Sequence, residues 1–151
     1  MTGEPDLRGP LATIASQGAV ALALLYASLR AYWALGGQTL RDSVGVTEHV
    51  LSDPWLSPWG LVVAAVVAAL LPLGLARRWR ALQVPAWIVV LVLALRGFSG
   101  LLLLYPLRDL VPPMSGAADL ALAVYSPVFL LWAFLLGTVA VLARTDAANE
   151  R

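Results

Sequence analysis

Four apolar runs, each close to the length that crosses a bilayer, restrict this chain more than any other feature. They are Leu11 to Leu35, Trp59 to Ala76, Val84 to Tyr105 and Ala117 to Ala143, and the stretches between them hold most of the charge. A helix needs about twenty apolar residues to span ~30 Å of hydrocarbon. Backbone groups there find no water to bond to, so each run must satisfy its own amides as a helix. The expected fold is therefore all-α: one domain over residues 1–151, built as a four-transmembrane-helix bundle.

The rest of the composition narrows the chemistry. Hydrophobic residues make up 60% of the 151 and charged residues 13%, far from the averages of soluble domains. There is no cysteine, which excludes disulfides, thiolate catalysis and iron–sulfur ligation. The single histidine, His49, cannot build a bis-histidine haem site or a histidine-rich zinc site, so no cofactor or metal is expected. All ten cations are arginines, set against nine acids and scattered along the chain, which gives no footprint for nucleic acid.

Glycine and proline mark the joints: Gly36 and Gly37 after the first run, Pro58 before the second, Pro85 opening the third, Pro112 and Pro113 before the fourth. The first run is too long for a signal-peptide core and lacks a clean small-residue cleavage site, so it is read as a span. With four spans, Arg8, Arg77, Arg78, Arg80, Arg144 and Arg151 fall on one side, against Arg41 and Arg108 on the other. The positive-inside rule then places both termini in the cytoplasm of a multi-pass protein of the bacterial cytoplasmic membrane. The long loop from Gly36 to Pro58, with Asp42, Glu48, His49 and Asp53, is expected outside, and Trp55 and Trp59 are read as interfacial anchors.

Arg96, in "VLALRGFSGLLLLY", is the residue this scheme must explain. A central arginine costs about 2.5–3.5 kcal/mol on the insertion scale, whereas each Leu, Ile, Val or Phe returns about 0.3–0.6. Thirteen such residues lie between Val84 and Leu104, so insertion still wins. Arg96 stands roughly 14 Å below Tyr105 at 1.5 Å per residue, too deep for simple snorkelling, and must find acceptors inside the bundle. Pro127 in "DLALAVYSPVFLL" removes an N–H and frees the carbonyl of Ala123, beside Tyr125 and Ser126, which makes that kink the expected anchor.

A second buried cation is expected in the first span. Tyr26, Arg30, Trp33 and Gly37 recur at spacings of four, three and four and so share a face. Asp119, near the start of the fourth span, is the expected charge partner of Arg30. Arg30, Trp33, Arg96, Asp119, Tyr125 and Ser126 thus form the expected site in the outer half, with Gly97 and Gly100 allowing close helix approach beside it. No catalytic residue is assigned.

Three functions compete for such a cluster. The first is an outer-half pocket that binds an anionic lipid or amphiphile between the arginines. The alternative is a structural or accessory subunit of a membrane complex, alone or as a homo-oligomer, in which Gly18, Gly97, Gly100 and Gly137 mediate helix contacts within or between chains. A lipid-modifying enzyme using Asp119 or Tyr125 as acid or base ranks last, because no nucleophile and base stand at a recognisable spacing. A transporter would require an oligomer, since no inverted repeat is visible.

"AYWALGG", "LALRGFSG" and "DLALAVYSP" together resemble a small four-helix integral membrane family of unknown function, common in actinobacteria. The resemblance runs across nearly the whole chain and implies the four-span topology, with no activity attached. Where that family carries a histidine shortly before the Tyr-Trp pair, this chain has none before Tyr32 and Trp33, which weakens any catalytic role there.

Overall fold

Apolar side chains carry the described chain into four helices, two of which continue through an internal proline, Pro72 and Pro127. The computed structural model describes residues 8–36, 58–76, 80–105 and 116–149. Helix α1 spans Arg8–Ala34, α2 Pro58–Ala76, α3 Gln83–Leu104 and α4 Gly116–Asn149, with one 3₁₀ turn, Arg80–Leu82, leading into α3. The protein is all-helical over these residues, and α1, α3 and α4 are each long and apolar enough to cross a membrane. The apolar part of α2, Gly60–Leu75, is shorter. The expected outer loop with Asp42, Glu48, His49, Asp53 and Trp55, together with Gly37, Arg77, Arg78, Pro112 and Pro113, lies outside the described residues.

The helix ends follow local chemistry. Pro58 opens α2 at a position where its missing N–H removes nothing from the helix. Beyond α1, Gly36 takes φ of +97°, the left-handed conformation that glycine adopts without penalty, and its N–H bonds the Trp33 carbonyl at 3.1 Å. At its far end α4 continues past the apolar limit read at Ala143, because "RTDAAN" contains neither glycine nor proline to stop it. Its 34 residues span roughly 51 Å, well beyond the hydrocarbon thickness.

The helices pair as two hairpins: α1 lies along α2, and α3 along α4. Helix α4 also packs on α1 and touches α2, while α3 meets α2 lightly and scarcely meets α1. Ala15, Leu75, Ala86, Val139 and Ala140 gather in one buried cluster. They come from the start of α1, the end of α2, the start of α3 and the later half of α4, so successive helices run in opposite directions. Gln83 ties this end together by donating from Nε2 to the Ala140 carbonyl at 3.3 Å.

Small residues set the spacing within each hairpin. Ala15, Ala19, Ala23 and Ala27, four apart, are all buried on α1, and Ala19 and Ala23 share a core with Ala68, Ala69 and Leu71 of α2 and Trp132, Ala133 and Leu136 of α4. Between α3 and α4, a Cβ placed on Gly97 would come within 2.6 Å of Leu130 Cγ and 2.9 Å of the Ser126 carbonyl, and one on Gly100 would collide with Ser126 Oγ. Gly18 meets Leu135 of α4 in the same way. Gly137 has room to spare, with Val90 no nearer than 3.8 Å. The outward faces carry large apolar side chains, among them Ile14, Leu25, Val63, Val84, Ile88, Leu95, Phe98 and Phe134, all more than half exposed. A water-facing surface does not sustain so much exposed apolar area; a hydrocarbon one does.

Candidate functional site

The face written by Tyr26, Arg30 and Trp33 turns inward on α1. Trp33 is buried, while Tyr26 and Arg30 are half-buried. Arg30 donates from Nε to the Tyr26 hydroxyl at 3.0 Å, and its guanidinium lies 5.3 Å from the centroids of both the Tyr26 and Trp33 rings. A cation held against two rings in a low-dielectric setting gains about 2 kcal/mol from each favourable face. The four-residue and three-residue spacing therefore places one guanidinium between two aromatic side chains of its own helix.

Helix α4 supplies the opposite wall. The Tyr26 ring packs edge-on against Phe129 with centroids 5.6 Å apart, and tilted against Trp132 at 6.0 Å. Arg96 of α3 comes in from the other side, its guanidinium 5.9 Å from the Phe129 centroid. Arg96 lies within electrostatic reach of Arg30, and so does the half-buried Tyr125. One run of side chains thus links the helices: Trp33 and Tyr26 hold Arg30, Tyr26 meets Phe129, and Phe129 meets Arg96.

The contact partner of Arg96 differs from the carbonyl expected from the proline kink. Val90 lies opposite Gly137, Gly97 opposite Leu130 and Ser126, and Gly100 opposite Ser126 and Leu122, which brings Arg96 level with Phe129. Ala123 is six residues nearer the start of α4, roughly 9 Å along the axis. Ala123 and Pro127, one turn apart, are both exposed. The freed carbonyl therefore opens on the outer surface of the bundle, away from Arg96. Among the described residues, the Arg96 guanidinium meets an aromatic ring and no hydrogen-bond acceptor.

The remaining expected residues divide. Ser126, only 2% exposed, sits in the α3–α4 seam against Gly97 and Gly100, where its small size admits the close approach. Tyr125 stands on the Phe129 flank of α4. Asp119 is half-buried in the first turn of α4, six residues beyond Tyr125. Because Tyr26 is level with Phe129 and Trp132, the backbone of Arg30, one turn nearer the end of α1, is level with Tyr125 and Ser126. The backbone of Asp119 lies roughly another 9 Å along the helix.

Phe129 and Trp132 lie outside the expected set, yet they join the two arginine regions. Their signal is present in the sequence: Tyr125, Phe129, Trp132 and Leu136 recur at spacings of four, three and four, the same pattern that marks Tyr26, Arg30, Trp33 and Gly37. Lacking a charge among them, these residues read as ordinary core. Comparison of the chain with protein-family models, with curated proteins and with solved structures finds no match.

Proposed function

We propose that this protein is a four-span protein of the bacterial cytoplasmic membrane, with both termini in the cytoplasm, that binds an anionic lipid between Arg30 and Arg96. The observation carrying this reading is the setting of Arg96: a guanidinium among apolar helices, level with Phe129, within electrostatic reach of a second guanidinium and offered no acceptor by the described residues. Five N–H donors in such a setting favour an anion with several acceptor oxygens. The aromatic rings between the arginines keep both cations oriented, and a ring face occupies none of the Arg96 donors. The resemblance of "LALRGFSG" and "DLALAVYSP" to actinobacterial membrane proteins supports the bacterial setting.

Native mass spectrometry of protein purified in dodecyl maltoside tests the binding. Wild-type protein is expected to retain anionic lipid, and Arg96→Gln, which leaves the Gly97–Ser126 contact intact, to lose most of it without a change in melting temperature. Arg96→Lys should retain an intermediate amount, since an ammonium keeps the charge but lacks the bidentate fork. Equal lipid retention by wild type and a folded Arg96→Gln protein would overturn the reading.

A second reading, an accessory subunit, draws on α3. Trp87, Ile88, Leu91, Val92, Leu95 and Phe98 leave a broad apolar face of this helix uncovered by the chain. In contrast, Gly18, Gly97 and Gly100 are already engaged within the chain and do not supply that contact. A second protein or second copy surviving in the same spectra would favour this reading.

A further inference from the structure

Pro72 stands inside α2, and its ring is fully buried. A proline has no N–H to give the residue four before it, so the carbonyl of Ala68 loses its partner in the helical ladder. That carbonyl lies between Ala68 and Pro72, one turn apart and both buried, and so opens into the bundle. The break at Pro127 behaves in the opposite way, since Ala123 and Pro127 lie exposed. Trp132 of α4 belongs to the same buried cluster as Ala68, together with Ala69 and Leu93. Trp132 is 3% exposed, and its indole N–H meets no hydrogen-bond acceptor among the described residues. Leu75 and Ala140 share the cluster that closes the bundle at one end. Ala68 is seven residues before Leu75 and Trp132 eight before Ala140, roughly 10–12 Å along helices that run in the same direction, so the two stand level.

We infer that one water molecule is bound in the middle of the bundle, accepting from the Trp132 indole N–H and donating to the Ala68 carbonyl. Trp132 stands roughly 15 Å inside the nearer end of the apolar stretch Leu122–Thr145. Interfacial water does not reach that depth, and an unpaired donor or acceptor there is costly. A donor on one wall and an acceptor on the other select the occupant: an anion would meet the carbonyl oxygen and a cation the N–H, whereas water accepts and donates through one atom. The neighbours in the cluster are mostly small, Ala19, Ala23, Ala69 and Ala133 among them, and a water asks for only ~10–15 Å³. A second buried acceptor, Gln83 Oε1, is level with Ala140, roughly 12 Å from Trp132 along α4 and too far to serve it. The water repairs the ladder at Pro72. It also ties α2 to α4, which touch each other far less than α1 and α2 do. This site does not depend on the lipid-binding reading, because neither arginine contributes to it.

The test reads the indole N–H signals of the full-length protein by NMR, with isotopically labelled tryptophan in perdeuterated dodecyl maltoside. The Trp132 signal is identified by its loss in Trp132→Phe and by the contacts of its ring with Tyr26. It is expected to show cross-relaxation with the water line, with the sign of a long-lived bound water. It should also move upfield by several tenths of a ppm in Pro72→Ala, where the restored N–H reclaims the Ala68 carbonyl. Melting temperatures give an independent reading: Trp132→Phe should lower the value by several degrees in the wild-type chain and by clearly less in the Pro72→Ala background, where the carbonyl no longer needs a donor. A Trp132 signal without contact to water would overturn the site. A signal that moves in Pro72→Ala but never meets water would show a direct bond to Ala68 and overturn the bridging molecule. Equal losses of melting temperature in the two backgrounds would reduce the role of Trp132 to packing and overturn its link to the proline break.

Discussion

A methyl group added to Gly100 would meet the Cβ of Ser126 at 3.2 Å and collide with its hydroxyl. The consequence concerns more than packing, since the same seam sets the level at which Arg96 stands beside Phe129. Overfilling a tight contact commonly costs about 1–3 kcal/mol. Gly100→Ala should therefore lower the melting temperature in detergent, and Gly100→Ala with Ser126→Gly should recover most of the loss, because the second change removes the side chain that is struck. No recovery in the double variant would mean that the two positions do not face each other. The arginine was legible from the sequence as a charge that had to turn inward. Its ring partner was not, because a frequent apolar residue such as phenylalanine does not announce which of several inward positions a neighbouring helix will bring opposite a guanidinium.

At the scale of the element, α1 combines two codes on one cylinder. Ala15, Ala19, Ala23 and Ala27 admit close neighbours, whereas Tyr26, Arg30 and Trp33 enlarge the same inward side toward its end. The helix is thin where it crosses the Ala68 and Ala69 region and bulky where it builds the site. Ala23→Leu enlarges a fully buried position in the cluster that holds Ala69 and Trp132, and is expected to destabilise by about 1–3 kcal/mol. Ala21→Leu, the same change at an exposed position of the same helix, should leave the melting temperature nearly unchanged. A drop of similar size in both variants would show that general helix bulk, and not the inward stripe, limits the fold. Among the elements, helices α1, α2 and α3 begin and end close to the limits read from the sequence; the polar extension of α4 was missed because apolar length marks where hydrocarbon ends, while helix continues until something breaks it.

For the whole molecule, the alternation of helix direction has a consequence for sidedness. The 3₁₀ turn at Arg80–Leu82 shares an end with the start of α1 and the last turns of α4, and arginines are concentrated in the segments at that end. The proposed orientation predicts that a cysteine at Ala81, which is exposed, escapes an impermeant maleimide on intact cells and reacts after permeabilisation, while one at Ser43 reacts on intact cells. The native chain contains no competing thiol. Labelling at Ala81 with none at Ser43 would reverse the orientation.

By itself the sequence determined the class of the protein and the location of its unusual chemistry. Long apolar runs leave the backbone only helical solutions in hydrocarbon, and an arginine within such a run must face inward whatever surrounds it. Those conclusions depend on energies that a single residue or helix carries alone. The tertiary structure decided the rest: that α3 is joined mainly to α4, that Ser126 belongs to a glycine seam, that Ala123 and Pro127 lie exposed and away from Arg96, and that Phe129 links Arg96 to Tyr26 and Arg30. Such relations depend on the rotation and register of one helix against another. They are settled by the joint fit of small residues such as Gly97, Gly100 and Ala23 against their neighbours, and no single helix contains that information.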